Sequence, residues 1–120
     1  MDVFELTLMI GTEQPAALAR FYGEVLGLER LSQYRDPVFR AAGANIRFLQ
    51  HSGIQGRAHE PARMQINLFV ADVRAEWERI AVQGVRFTRD PEVEWWGGVV
   101  ATMEDPDGNY VQIIQQSPER

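Results

Sequence analysis

Apolar and polar residues alternate along the first segment of the chain, "FELTLMIG" (residues 4–11). A period of two is typical of a β-strand with one buried face. The next segment, "TEQPAALARFYGEVLG", repeats every three to four residues, with Pro15 suited to a first helical turn and Gly27 to a left-handed cap. A single apolar stripe therefore predicts an amphipathic helix, and it consists of Leu18, Phe21, Tyr22, Val25 and Leu26.

Three short strands are predicted after this helix. They are "LERLSQYR", "PVFRAAG" and "NIRFLQH", separated by Asp36-Pro37 and by Gly43. The segment that follows, "SGIQGRAHEPAR", has two glycines, one proline and no hydrophobic period, so it is interpreted as a linker.

The same order then begins again. "MQINLFVAD" alternates like the first strand, Asp72 is a good helix N-cap, and a second apolar stripe runs to Gly84. "VRFTRDPEVEW", "GGVVATME" and "NYVQIIQQ" predict three more strands. In "DPDG", Pro106 presets a turn and Gly108 accepts a positive φ, so the last two strands are expected to form a hairpin. The second stripe consists of Val73, Trp77, Ile80 and Ala81.

The two halves agree in order and in spacing, because the helical segments 14–27 and 72–84 differ in length by one residue. This repetition predicts an α+β chain of tandem βαβββ modules, whose strands form a curved mixed sheet around a cup. A single domain is expected over residues 1–120. Module 1 covers about residues 3–52, the linker about 53–63, and module 2 about 64–117.

The composition of the chain excludes several classes of function. Hydrophobic residues make up 45% of the chain and charged residues 24%, which fits one compact domain. The net charge of -5 argues against a nucleic-acid partner, and no apolar run approaches the roughly 20 residues that span a bilayer. No basic region precedes the first apolar segment, so it is interpreted as a strand and not as a signal peptide. The lack of cysteine excludes thiol chemistry and is compatible with a reducing compartment, so a cytoplasmic location is expected.

Each predicted strand has two faces. The face toward the helices is expected to be buried, and it carries Leu6, Leu8, Ile10, Ile46, Phe48, Ile66, Leu68, Val70, Val111 and Ile113. The opposite face carries Thr7, Met9, Arg47, Leu49, Gln65, Asn67, Phe69, Gln112 and Ile114. A concave face that mixes apolar walls with a few polar groups is typical of a small-molecule site. The alternative is a surface that meets another subunit.

"FYGEVLGLE" after an alternating strand, "DPDGNYVQIIQ" near the C-terminus and the doubled βαβββ order resemble the vicinal oxygen chelate superfamily. That group includes glyoxalase I, the extradiol dioxygenases and the bleomycin resistance proteins. The resemblance covers nearly the whole chain, and it implies two modules that build one cup, usually within a homodimer. It is a poor guide to activity, because this scaffold hosts many chemistries.

The resemblance also implies where a metal would be bound. Metal-dependent members take His, Gln or Glu ligands from the first and last strands of each module, and these positions correspond to Thr7, Arg47, Gln65 and Gln112. Of these four, Gln65 alone suits the pattern. Thr and Gln supply no negative charge to offset the dehydration of a divalent ion, and the fixed cation of Arg47 opposes one. We therefore predict that this position holds no metal, and no cofactor is expected.

Two interpretations of Arg47 follow. Its planar fork of donors suits an anionic or carbonyl group of a ligand, or it forms an ion pair with a nearby acid such as Glu5 or Glu104. Gln112, where an acid would have been a metal ligand, is expected to donate and accept hydrogen bonds across the cup floor.

Three further residues are candidate parts of the site. His51 continues the Arg47 face toward the rim, where it is a candidate acid or base. Trp95 and Trp96 are expected in a strand or its entry, with their rings on opposite sides. At most one of them is therefore expected to line the cup and stack on a flat ligand, and the other to lie in the core or an interface. No set of catalytic residues is predicted.

The leading hypothesis is a metal-free binding protein, similar to the bleomycin-resistance type, that holds a small organic ligand without turning it over. The ligand is expected to be anionic or carbonyl-bearing and aromatic. The alternative is a glyoxalase-like lyase that works without a metal or binds one through residues other than the four at the implied metal positions. A third hypothesis is a protein with a vestigial cup whose role lies in its dimer contacts. The predicted ligand-binding residues are Thr7, Arg47, His51, Gln65, Asn67, Phe69, Trp95, Trp96 and Gln112.

Overall fold

The computed structural model describes residues 1–118. The chain divides into two compact units, of which the first ends at Arg57 and the second begins at Ala58. Each unit contains one helical region and one four-stranded sheet with both parallel and antiparallel pairs. The predicted α+β chain with two βαβββ modules is therefore confirmed.

The first unit follows the predicted order. Its sheet has the strand order β1-β4-β3-β2, in which β1 pairs with β4 in parallel and the other neighbours are antiparallel. The predicted strand "LERLSQYR" is reduced to two residues. The elements are β1 (Leu6–Gly11), α1 (Pro15–Ala19), a π-helical segment (Arg20–Val25), β2 (Glu29–Arg30), β3 (Val38–Ala41) and β4 (Ala44–Leu49).

The prediction of an uninterrupted α-helix in this unit is wrong in its second half. The N–H of Leu26 donates to the carbonyl of Phe21, five residues earlier, at 2.9 Å, which is the π-helical pattern. Two consecutive aromatic residues of this segment, Phe21 and Tyr22, are both buried, with their ring centroids 5.1 Å apart. Gly27 ends the segment with a φ of 81°, as predicted.

Aromatic rings form the centre of the first unit. The ring of Tyr22 lies 4.6 Å from that of Phe48, and the ring of Phe39 lies 6.1 Å from Phe48. Gly23 passes so close to this group that a Cβ there would lie 2.9 Å from Cε1 of Phe39. Leu6, which was predicted to be buried, is exposed. It is the first residue of an edge strand and pairs with a single neighbour, Ala44, so little surrounds it.

The second unit repeats this topology with the strand order β5-β8-β7-β6, in which β5 and β8 are parallel. Asp72 caps the helix as predicted, by accepting a hydrogen bond from the N–H of Ala75 at 3.1 Å. The hairpin of the last two strands is confirmed, with Gly108 at a φ of 82°. The elements are β5 (Ile66–Phe69), α2 (Val73–Ala81), β6 (Phe87–Val93), β7 (Val99–Glu104) and β8 (Tyr110–Gln115).

The prediction of a buried helix-facing layer is confirmed in part. Ile46, Phe48, Val111 and Ile113 are buried, whereas Leu8, Ile10, Ile66, Leu68 and Val70 are half-buried. The five half-buried residues all lie on or next to β1 and β5, which are edge strands of their sheets. Among residues 1–118, no helix has both the length and the apolar character needed to cross a membrane.

Candidate functional site

Three strands of the second unit bring polar side chains into one row. Asn67 on β5 lies opposite Gln112 on β8, and Gln112 lies opposite Thr102 on β7. Residues directly opposite each other in a sheet point to the same face, so the three side chains are neighbours. Gln65 lies two residues before Asn67 and joins the same group. We call Gln65, Asn67, Thr102 and Gln112 the Gln112 cluster.

Gln112 is the centre of this cluster. Its Nε2 donates to Oδ1 of Asn67 at 3.1 Å and also to Oε1 of Gln65. Its Oε1 accepts a hydrogen bond from the hydroxyl of Thr102 at 3.3 Å. The neutral amide therefore joins three neighbours at the position where the resemblance implied a metal-binding acid.

Thr102 was not among the predicted site residues, although a signal for it existed. The "DPDG" turn fixes the register of the last hairpin, and counting outward from that turn places residue 102 opposite residue 112. The predictions for Gln65, Asn67 and Gln112 as neighbours on one face agree with these contacts.

An apolar border lies beside the cluster. The next row along the same face consists of Phe69, Ile114 and Val100, of which Phe69 is 61% exposed and the other two are buried. Phe69 also lines an open hollow of about 310 Å³. The other residues around this hollow are Val70, Ala71, Gln115 and Gln116.

In the first unit, Arg47 forms an ion pair. Its Nη2 lies 2.7 Å from Oδ2 of Asp36, and both side chains are 39% exposed. The structure thus places an acid beside Arg47, but this acid is neither Glu5 nor Glu104. Asp36 lies two residues before Val38, which is the strand neighbour of Arg47, so the two side chains share one face. Sequence reasoning treated Asp36 as a strand break and missed this role.

Thr7 does not take part in the Arg47–Asp36 pair and bonds to a different acid. Its hydroxyl donates to Glu5 at 2.9 Å, and its backbone lies opposite Asn45 of β4. Arg47 lies opposite Met9, two residues farther along β1. The offset matches that of the second unit, where Gln112 lies opposite Asn67, two residues after Gln65. The register therefore supports the correspondence of Thr7 with Gln65 and of Arg47 with Gln112.

His51 lies in an exposed turn after β4. Its Nδ1 accepts a hydrogen bond from the N–H of Gly53 at 2.9 Å, and its carbonyl accepts one from Ile54 at 3.1 Å. These bonds hold the imidazole against the backbone of its own turn and leave Nε2 as the position for the proton of a neutral ring.

Trp95 and Trp96 lie in the turn between β6 and β7, so the expectation of a strand or its entry is corrected to a turn. Trp95 is 92% exposed. Trp96 is half-buried over Gly98, where a Cβ would lie 1.7 Å from Cζ3 of the indole. The two indoles thus differ in environment because close packing on a glycine holds one of them.

Arg89 forms ion pairs at the start of this turn. Its Nη2 lies 2.7 Å from Oε1 of Glu94, and its Nε lies 3.4 Å from Oε1 of Glu92. The hydrogen bond to Glu94, together with that to Glu92, raises the pKa of the Arg89 guanidinium above its ordinary value. Arg89 thus stays a cation and ties β6 to the turn that carries both tryptophans.

The residues at the family's metal positions do not fit a divalent ion. Gln65 and Gln112 are hydrogen-bonded to each other, Thr7 donates to a carboxylate, and Arg47 carries a positive charge that is paired with Asp36. Within residues 1–118, no three His, Cys, Asp or Glu side chains gather in an arrangement that could hold a metal. A dication needs negatively charged or strongly donating ligands to offset its dehydration, and none of these four side chains carries a negative charge.

The fold and these paired-strand positions define a class of proteins made of two βαβββ units. The chain belongs to the Glyoxalase/Bleomycin resistance protein/Dioxygenase superfamily, whose family model matches residues 6–113.

Individual relatives differ in what they do. The chain is 27% identical to a lactoylglutathione lyase of Haemophilus influenzae over 108 residues, with 80% of each chain covered. Its structure is similar to that of TnmS3, an antibiotic binding protein from Streptomyces sp. CB03234, with a TM-score of 0.77, 21% identity and coverage of 98% and 99%. It is also similar to a lactoylglutathione lyase from Agrobacterium tumefaciens, with a TM-score of 0.72, 15% identity and coverage of 92% and 91%. These structural likenesses concern the fold.

Proposed function

We propose that this protein binds a small organic ligand on the face that carries the Gln112 cluster, without a metal and without turning the ligand over. The observation that carries the proposal is the hydrogen bonding of Gln112, whose amide joins Gln65, Asn67 and Thr102 where metal-dependent members have an acid. We also propose a cytoplasmic location, with which the lack of cysteine is compatible.

The character of this face supports ligand binding. It places polar amides beside an exposed ring, that of Phe69, and such a mixture of polar and apolar groups is typical of small-molecule sites. Phe69 is suited to stacking against a flat apolar group of the ligand. The ligand contacts proposed in this unit are therefore Gln65, Asn67, Phe69 and Gln112. The other predicted contacts, Thr7, Arg47, His51, Trp95 and Trp96, stay predictions.

Native mass spectrometry tests the metal-free part of this proposal. The protein is dialysed against nickel, zinc or manganese, desalted, and compared with a sample treated with a chelator. We expect both samples to show the mass of the polypeptide, with or without a retained organic molecule. One divalent ion per chain, absent after chelation, would contradict the proposal.

A second candidate, a glyoxalase-like lyase, is favoured by the 27% identity to the Haemophilus influenzae protein. The discriminating assay measures the formation and cleavage of lactoylglutathione by the purified protein, with and without the same three metals. Turnover that rises with one of the metals and is abolished by a chelator would make the lyase the function and would replace the binding-protein proposal.

A further inference from the structure

The hydrogen bonds of the Gln112 cluster have a fixed direction, which a backbone carbonyl determines. Nε2 of Gln65 donates to the carbonyl oxygen of Ala62 at 3.2 Å. A carbonyl oxygen accepts hydrogen bonds and cannot donate them, so the nitrogen of the Gln65 amide faces Ala62. The oxygen of the same amide consequently faces Gln112.

The orientation of the Gln65 amide determines the orientations of the other amides in the cluster. Because Gln65 presents an oxygen, Gln112 must present its Nε2, and the same nitrogen then donates to Oδ1 of Asn67. The other end of the Gln112 amide, Oε1, accepts the hydroxyl proton of Thr102. Both N–H groups of Gln112 and one oxygen of each neighbouring amide are thereby used inside the cluster.

Asn67 is the last residue in this series of hydrogen bonds. Its oxygen faces Gln112, so its Nδ2 with two N–H groups faces away, and this nitrogen has no hydrogen-bond partner among the described residues. The side chain is exposed and lies on the same face as Phe69, two residues later on β5. The face therefore offers a pair of donors beside an aromatic ring.

We infer that the ligand is recognised through an oxygen acceptor, a carbonyl or carboxylate group, that binds Nδ2 of Asn67 while an attached apolar ring lies against Phe69. This inference rests on the proposed function and specifies the chemistry of its ligand. A ligand whose polar group is an ammonium ion is disfavoured, because the outward-facing atom of Asn67, Nδ2, carries two N–H donors and no lone pair that could accept a hydrogen bond.

The test uses three aromatic probes of similar size that differ in their polar group, namely acetophenone, benzoate and benzylammonium. Molecules of this size are expected to bind with dissociation constants on the order of millimolar. Binding is followed by the ¹⁵N–¹H spectrum of the whole protein. The Nδ2 signals of Asn67 are identified as the amide pair that is missing from the Asn67→Asp variant.

The Asn67→Asp variant replaces the Nδ2 group that faces away from the cluster and keeps the hydrogen bond to Gln112. Its carboxylate still accepts from Gln112, but it replaces the two outward donors by an oxygen. Gln33→Glu is the matched control, because it adds the same charge at an exposed position in the first unit. Asn67→Ala removes the donors without adding charge and serves if the aspartate variant is unfolded.

We expect acetophenone and benzoate to shift the Asn67 signals along saturable curves and benzylammonium to leave them unchanged. In Asn67→Asp the affinity for acetophenone, which carries no charge, should fall about tenfold, the size expected when a donor pair is lost, whereas Gln33→Glu should match the native protein.

Three results would overturn the inference. They are preferential binding of benzylammonium, acetophenone affinity that is unchanged in Asn67→Asp, and a lack of response to all three probes. If the acceptor probes bind equally well to the native protein and to the variant, small-molecule binding stands and its recognition lies elsewhere. If a metal ion is found in the mass spectrum, the proposed function itself fails, whatever the probes show.

Discussion

At the scale of single residues, the chain has neutral or paired groups at the positions where the resemblance implied metal ligands. Gln112 makes hydrogen bonds to Gln65, Asn67 and Thr102. Arg47 is paired with Asp36 and is not available as an isolated cation. Both positions therefore make side-chain contacts within the chain itself.

The Arg47–Asp36 pair is expected to stabilise the fold modestly. Both side chains are 39% exposed, so water screens the attraction, and a double-mutant cycle with Arg47→Met and Asp36→Ala should give a coupling of about 0.5–1 kcal/mol. The free energy of unfolding is measured in urea for the four proteins.

The matched control for this cycle is the pair of Arg63 and Glu60, whose side chains are 71% and 68% exposed. Its coupling should be smaller, about 0–0.5 kcal/mol. A coupling at Arg47 and Asp36 no larger than that of the control would mean that the ion pair contributes nothing beyond a solvated contact.

At the scale of elements, the turn between β6 and β7 combines several local constraints. Arg89 binds Glu94 at its start, and Gly97 has a φ of 92°, which glycine adopts without strain. Trp96 packs on the backbone of Gly98. The turn is therefore a packed unit, whereas the neighbouring Trp95 is exposed.

Gly98→Ala should destabilise the protein by about 2 kcal/mol or more, because the new Cβ would lie 1.7 Å from the Trp96 ring and 2.5 Å from the carbonyl oxygen of Gln115. We also expect the tryptophan emission to shift to longer wavelength as Trp96 is displaced into water. Urea unfolding and fluorescence measure the two effects.

Gly43→Ala is the control for this substitution, because nothing lies within 4 Å of a Cβ at that position and its φ is not positive. Its stability should change by no more than about 0.5 kcal/mol. Equal effects at the two glycines would show that the packing of Trp96 on Gly98 is unimportant.

At the scale of the whole molecule, large apolar side chains near the N-terminus are exposed in a single chain. Phe4 is 100% exposed, Leu6 64% and Met9 58%. Strand β1 is also an edge of its sheet and has one unpaired side within that sheet. Exposed apolar residues beside a free strand edge are typical of surfaces that a partner covers. We therefore expect a homodimer in which a second copy covers this surface.

Sedimentation velocity should show the native protein as a dimer, and Leu6→Asp should weaken the dimer at least about tenfold by introducing a charge that must be desolvated. Val82→Asp is the matched control, because Val82 is apolar and 84% exposed but lies at the end of α2. A monomeric native protein, or equal effects of the two aspartates, would contradict the expected surface.

Much of the fold was predictable because its signals are local. The alternation of the strands, the apolar stripes of the helices, the Asp72 cap and the positive φ at Gly27 and Gly108 each depend on residues within a few positions of one another. The π-helical segment was not predictable in this way. Its residues have the same apolar period as an α-helix, and the contact of its Tyr22 with Phe48 of β4 joins residues that are far apart in the chain.

The features of the candidate site likewise separate into those that depend on local sequence and those that depend on tertiary contacts. The sequence by itself determined the order of the two modules, the strand faces and the residue types at the family's metal positions, because period and residue chemistry are written locally. Only the tertiary structure decided that Asp36 pairs with Arg47 and that Gln112 bonds to Asn67. Gln112 and Asn67 are 45 positions apart, and which side chains meet at such a separation is set by the register of paired strands.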